Sequence, residues 1–179
     1  MATRSFKKLY RYKKERMVLL KTQYRKLFLV AGAVVILDQI SKALILATVP
    51  LNHSIAVIPG FFNLTHIHNP GGAFGFMADQ SSLLRHTVFI FFTIAAIGLI
   101  FYLYTTTPDT LPYLQTAFAL VFGGALGNLL DRIRFGKVVD FLDLYLGTLH
   151  WPAFNVADSA VSIGIAVFLY HLCFKKMPG

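Results

Sequence analysis

All but one of the eight acidic side chains in this 179-residue sequence are aspartates, and several of them interrupt apolar runs where surface solubility cannot be their purpose. Asp140 lies inside Val138-Val139-Asp140-Phe141-Leu142, Asp143 follows three residues later, and Asp158 closes Phe154-Asn155-Val156-Ala157-Asp158. Two carboxylates held close together in a low dielectric cannot both ionise easily. One keeps a proton, and the pair can then act as acid and base on a water and a carbonyl. Spacing alone does not decide between Asp140 and Asp143. Asn155, preceded by Pro152, is also a good helix N-cap, which would place Asp158 at the third helical position, where a carboxylate satisfies free amides whether or not it does chemistry.

Two further groups surround these aspartates. Asp38 and Lys42 are four residues apart, so a helix puts them on one face, where they can neutralise each other or form a wall of a site. Gly124, Asn128 and Arg132 recur at the same interval, with Asp131 adjacent. An amide and a guanidinium on one stripe form a donor array suited to backbone carbonyls or to a phosphate or ester headgroup. Gly123 and Gly127 form a small-residue face for close helix packing. His66 and His68 would share a strand face, but no third ligand stands at a suggestive spacing and H-E-x-x-H is absent, so no metal and no cofactor are expected. Gly-x-Ser-x-Gly is absent too. The lone Cys173 reads as a small buried hydrophobe, and one cysteine excludes an internal disulfide framework.

The elements that must carry these residues are long and apolar. The chain is 56% hydrophobic and only 14% charged, with a mean hydropathy of +0.61, which favours a membrane protein over a soluble domain. Four stretches, approximately 27–49, 87–104, 111–130 and 156–174, are each near the ~20 residues a helix needs to cross a bilayer. A cleaved signal peptide is the competing reading of the first, but its apolar character resumes at Ala43 without a convincing cleavage site. Between the first two spans, 50–86 contains the alternating Phe61-Phe62-Asn63-Leu64-Thr65-His66-Ile67-His68 and the turn-like Asn69-Pro70-Gly71-Gly72. The loop 131–155 contains the β-capable segment around Asp140. The predicted architecture is therefore a mainly α membrane protein, four transmembrane helices with a small extracytoplasmic β-sheet subdomain and a periplasmic loop.

Charge sets orientation. The net charge is +9, yet residues 1–26 hold ten basic side chains and Glu15, so the remainder balances at seven Lys and Arg against seven Asp. A basic tail of this kind is a topology signal or surface anchor, which removes the nucleic-acid reading that an overall basic chain invites. It predicts cytoplasmic N- and C-termini by the positive-inside bias. Arg132, Arg134 and Lys137 run against that bias, but the ten charges of the tail outweigh them.

Four separated motifs, in order, carry a family resemblance: Asp38-Gln39-Ile40-Ser41-Lys42; Asn69-Pro70-Gly71-Gly72-Ala73-Phe74; Gly123-Gly124-Ala125-Leu126-Gly127-Asn128-Leu129-Leu130-Asp131-Arg132 continuing to Val138-Val139-Asp140-Phe141; and Phe154-Asn155-Val156-Ala157-Asp158-Ser159. From about Leu27 to Phe174 the sequence resembles lipoprotein signal peptidase (signal peptidase II), a family of bacterial inner-membrane aspartic proteases. The resemblance implies catalytic aspartates at Asp140 and Asp158. It places Asp38, Lys42, Asn69, Gly124, Asn128, Arg132 and Asn155 on supporting or substrate-binding positions, and leaves Asp131 and Asp143 as supporting candidates. Gly72 stands where the family often has Ala, which could loosen the loop carrying Asn69.

What the resemblance further implies is a single four-helix peptidase domain over 27–174, between a basic cytoplasmic tail at 1–26 and a cytoplasmic C-terminus at 175–179. The expected substrates are diacylglyceryl-modified prolipoproteins, cleaved before the modified cysteine by a monomer among membrane lipids of the inner membrane, with the active site near the extracytoplasmic face. Two other classes would leave different signs. An ion-coupled carrier would show internal pseudo-symmetry or charges at mid-depth in several spans, and a scaffold built on glycine packing would leave three interfacial aspartates unexplained.

Overall fold

The computed structural model describes residues 2–71 and 81–175, with side chains from Thr22 onward in the first helix. Gly72 and its effect on the loop lie outside the described residues. The elements run α1 (Ala2–Thr48), β1 (Ser54–Ile58), β2 (Phe62–Asn69), α2 (Ser82–Thr106), α3 (Pro112–Phe135), β3 (Val138–Leu146), β4 (Leu149–His150) and α4 (Val156–Phe174). Helix α1 continues without a break from the basic tail into the first apolar stretch. Among the described residues four segments are long and apolar enough to cross a membrane: Thr22–Thr48, Ser82–Thr106, Pro112–Phe135 and Val156–Phe174.

Helices suit this solvent because they satisfy their own backbone groups where water cannot. Their outward side chains are correspondingly greasy: Ile36, Leu37 and Leu44 on α1, Phe91, Phe92 and Leu99 on α2, and Ile163 and Leu169 on α4 are all exposed. Cys173 is exposed as well, contrary to expectation. It falls between exposed Leu172 and Phe174 on an outward face of α4, where a thiol is apolar enough to sit.

Helix α3 is the central element, carrying eleven buried residues against one on α2. Its glycines explain how neighbours come so close. A Cβ on Gly123 would lie 2.8 Å from the Cα of Ala31 in α1, one on Gly124 would strike the carbonyl oxygen of Ala157 in α4, and one on Gly127 would lie 2.7 Å from Asp38 Oδ2. From the α4 side, Gly164 would meet Ala117 O and Val121 Cγ2, each at 2.5 Å.

The bundle has an apolar cluster at each end. Leu27, Tyr104, Leu114, Phe118 and Ala119 pack at one, where Tyr104 Oη donates to Gln23 O at 2.6 Å and ties α2 to α1. At the other, Ile45 of α1 and Val49 just past its end pack on Val139 and Phe141, which seats an antiparallel sheet of order β1-β2-β3-β4 on the helix ends. In its register Ile67 faces Asp140, His68 faces Val139 and Asn69 faces Val138, after an irregularity between Leu64 and Ile67.

Helix α3 stops at Gly136, whose left-handed backbone (φ 70°) turns the chain directly into β3. A bridge between Leu142 and Phe154 then lays the start of α4 beside β3.

The glycine contacts predict that Gly164→Ala lowers the thermal unfolding midpoint of the detergent-solubilised protein, by an overpacking cost of about 1–3 kcal/mol. Gly98→Ala, which adds its methyl to open space, should leave the midpoint unchanged.

Candidate active site

Lys42 is the place to begin, because it is a charged side chain only 2% exposed. Its Nζ lies 2.9 Å from Asp38 Oδ2 and 2.8 Å from Asp131 Oδ2, and it donates to Asn128 Oδ1 at 3.0 Å. An ammonium has three protons and no acceptor, so these contacts use its full capacity.

The two carboxylates are just as fully engaged. Asp38 Oδ1 accepts from the N–H of Ala157 in the first turn of α4 (3.0 Å). Asp131 accepts from the Val139 N–H at 3.1 Å and from Gln39 Nε2 at 3.0 Å. One lysine thereby binds α1, α3, β3 and α4 together. Gln39 went unnoticed in the sequence as a site residue, although its position beside Asp38 on the helix was the available signal. Its Oε1 accepts from Arg134 Nη1 at 3.1 Å.

That cluster orients the amides above it. Because Lys42 can only donate, Asn128 must present its oxygen downward, and its Nδ2 donates to Asp158 Oδ1 at 2.8 Å. Asn155 is fixed by the same logic. Its Oδ1 accepts the Asp158 N–H at 2.9 Å while the Asn155 N–H donates to Asp158 Oδ2 at 3.2 Å, closing a capping box. Its Nδ2 is left to donate to Asp140 Oδ1 at 2.8 Å. Asn69 is set by the Gly71 N–H, which donates to its Oδ1 at 3.0 Å, so Asn69 Nδ2 donates to Asp140 Oδ2, also at 3.0 Å. Each asparagine is oriented by a donor that cannot reverse, and each aims its NH2 at Asp140 or Asp158.

Asp140 and Asp158 both line a cavity of ≈ 830 Å³, together with Asn69, Asn128 and Arg132. The Arg132 guanidinium sits 5.2 Å from the centroid of the Phe89 ring of α2, a cation–π contact that steadies it at the cavity wall. Burial first, and then the neighbouring charge of Asp158, push the Asp140 carboxyl up to about 7, against the opposing hydrogen bonds of Asn69 and Asn155 and the charge of Lys42.

Asp143 is directed elsewhere. Three residues along a strand reverse the side-chain direction, and Asp143 accepts from Asn63 Nδ2 at 2.8 Å and pairs with His150 Nδ1, also at 2.8 Å. Asp38, Lys42, Asp131 and Asn155 stand behind the cavity lining, and Gly124 serves the contact between α3 and α4.

Four helices long and apolar enough to cross a membrane, with a small sheet at their ends, have counterparts among solved structures. The fold is similar to that of a bacterial membrane enzyme determined by the in meso method at 2.3 Å resolution, with a TM-score of 0.73 and 35% identity, covering 86% of this chain and 93% of that one. A second such structure, at 1.9 Å resolution, aligns with a TM-score of 0.74 at 34% identity, over 84% of this chain and 94% of the other. The class is thus a multi-pass membrane enzyme.

Residues 30–174 match the family model for signal peptidase (SPase) II. The lipoprotein signal peptidase of Desulforapulum autotrophicum is 54% identical over 153 residues, 86% of this chain and 94% of that protein. That of Syntrophus aciditrophicus is 49% identical over 152 residues, 84% of this chain and 94% of its own length. The chain belongs to the signal peptidase II family, and it is a membrane protease.

The lysine cluster makes a direct prediction. Lys42→Met leaves Asp38 and Asp131 buried without their cation, so the variant should lose about 3–5 kcal/mol of stability, read as a large fall in the unfolding midpoint in detergent.

Proposed function

We propose that the chain is an aspartic endopeptidase that removes signal peptides from prolipoproteins, cutting before a diacylglyceryl-modified cysteine. The observation that carries this reading is the pair Asp140 and Asp158 at one cavity, each carboxylate gripped by asparagine NH2 groups, in a chain of the signal peptidase II family. The pair shares one proton near neutrality, drawn here on Asp140, because its carboxyl is raised to about 7.

In the first step Asp158 takes a proton from a water whose oxygen attacks the scissile carbonyl, while Asp140 donates its proton to the carbonyl oxygen. In the collapse of the tetrahedral intermediate Asp158 gives its proton to the leaving amine, the C–N bond breaks, and a hydroxyl of the intermediate returns its proton to Asp140 as the new carboxyl forms. Arg132 and Asn128 hold the substrate backbone, and Asn69 and Asn155 hold the aspartates. Asp38 and Lys42 position these groups without taking part in proton transfer, and Gly124 sets the spacing of α3 and α4.

The setting follows from charge and depth. The ten basic side chains of residues 1–26 keep the N-terminus in the cytoplasm, four crossings return the C-terminus at 175–179 to the same side, and residues 27–174 form one peptidase domain of the inner membrane. Asp158 in the first turn of α4 then lies near the extracytoplasmic face. A substrate bearing two acyl chains is anchored at that depth, since each buried methylene contributes ~0.8 kcal/mol and two chains hold where one binds only marginally. The lipid acts as a positioning handle, and one protein copy carries the whole site.

Matched precursors with and without the diacylglyceryl group, at equal membrane partitioning, should be offered to the parent, Asp140→Asn and Asp158→Asn. The parent should cleave the lipidated precursor at least about tenfold faster, a difference of ~1.4 kcal/mol, and both variants should be inactive while remaining folded. Equal rates on the two precursors would remove the lipid specificity, and turnover by either variant would remove the dyad.

A further inference from the structure

Trp151 is the only tryptophan of the chain, and it lines the same cavity as Asp140 and Asp158. It is nevertheless 64% exposed, so its indole forms an edge of the cavity mouth and not the floor. The backbone holds it there. Its N–H donates to Leu144 O at 2.8 Å, and three residues on the Phe154 N–H donates to Leu142 O at 3.1 Å. Both ends of this short segment are thus bonded to β3, the strand that carries Asp140, and Pro152 between them fixes a further backbone angle.

Strand alternation decides which way the ring faces. Leu144 and Leu146 share the face of Asp140 along β3. Leu146 pairs with Leu149 of β4, and Trp151 follows Leu149 by two, so the exposed side chains of Leu146, Leu149 and Trp151 extend the face of Asp140 as one apolar track. On α4 the cavity reaches Ile163, which is 55% exposed on the outward side of that helix. Ile163 lies five residues beyond Asp158, a rise of about 7.5 Å along the span. The cavity therefore opens sideways, with Ile163 on the hydrocarbon side of the mouth and Trp151 on the side of the sheet.

We propose that this mouth receives the diacylglyceryl group of the substrate and that Trp151 is the residue that selects for it, an inference that rests on the lipidated precursor proposed above. The chemistry of the ring favours that occupant. An indole joins a large apolar surface to one N–H donor and has no acceptor. Among the described residues Nε1 of Trp151 makes no hydrogen bond and its ring meets no other aromatic ring. A glyceryl ester is the complement: carbonyl oxygens that only accept, beside apolar methylene stems. The indole N–H holds an ester carbonyl, the ring covers the first methylenes, and the acyl chains run past Ile163 into the bilayer. The modified cysteine is then left at the cavity, beside the aspartates.

Because the chain has a single tryptophan, the contact can be read in the full-length parent. The probe is a tryptophan-free lipidated precursor whose scissile peptide bond is chemically reduced, so that it binds uncut, and whose acyl chains are brominated near the ester. It should quench the tryptophan emission saturably, and the same probe without bromine should reverse the quenching by competition. Inhibition of cleavage scores its binding separately. In kinetics, Trp151→Ala removes a mostly exposed ring and should keep the unfolding midpoint, yet raise KM for the lipidated precursor about tenfold with kcat retained. The unlipidated precursor should be unaffected, and Trp151→Phe, which restores apolar surface without the N–H, should fall between. A brominated probe that inhibits cleavage without quenching would seat the peptide and not the acyl chains against the ring, and would overturn the proposal. So would Trp151→Ala that keeps the parent's preference for the lipidated precursor, or that loses equally on both. Equal rates on the two precursors in the parent would remove the lipid reading itself and this assignment with it, a result read before any variant is made.

Discussion

A charge buried among apolar helices must have its bonds supplied by the protein, and Lys42 meets that demand with Asp38, Asp131 and Asn128. Removing either sign would strand the other in a medium where an unpaired charge is costly. The cluster is consequently less a source of net stability than a constraint on geometry. The two helices that supply its members, α1 and α3, can satisfy it in few relative positions. Asp38 reaches into the first turn of α4 and Asp131 reaches the backbone of β3, so the same constraint extends to the two elements that carry Asp158 and Asp140.

Direction passes upward from that constraint through hydrogen-bond donors that cannot change role. The ammonium fixes the Asn128 amide, the helical N–H of Asp158 fixes Asn155, and the Gly71 N–H fixes Asn69. All three place NH2 groups on Asp140 and Asp158. At Asp140 these contacts favour the ionised form, whereas burial and the neighbouring charge of Asp158 oppose it. The balance leaves Asp140 at about 7, where a carboxyl can both hold and release a proton under ordinary conditions. Local conflict of this kind is what the proposed proton-sharing pair requires, and the ion cluster beneath holds the groups that orient it.

Much of this was legible in the sequence because it is local. Four apolar stretches give four helices, the i, i+4 spacing of Asp38 and Lys42 gives their contact, and Asn155 three residues before Asp158 gives the capping box. The choice between Asp140 and Asp143 was not legible from spacing, since it depends on which sheet face meets the helix ends. Strand register pairs Asp143 with Asn63 and His150, away from the cavity that Asp140 lines. Gln39 was overlooked for a related reason: its partners Asp131 and Arg134 lie far along the chain on another helix. Cys173 was misread because in a membrane protein an apolar side chain has two acceptable destinations, the core and the lipid.

The central claim is that one proton is held between two aspartates at neutral pH, with Asp140 as its main site. Infrared difference spectroscopy of the full-length protein, titrated in pH, reads this directly through the C=O stretch of a protonated carboxyl. A carboxylic acid band should fade as pH rises through about 7, should be missing from Asp140→Asn, and should persist in Asp143→Asn. A neutral-pH spectrum without such a band, or a band that survives Asp140→Asn unchanged, would contradict the account.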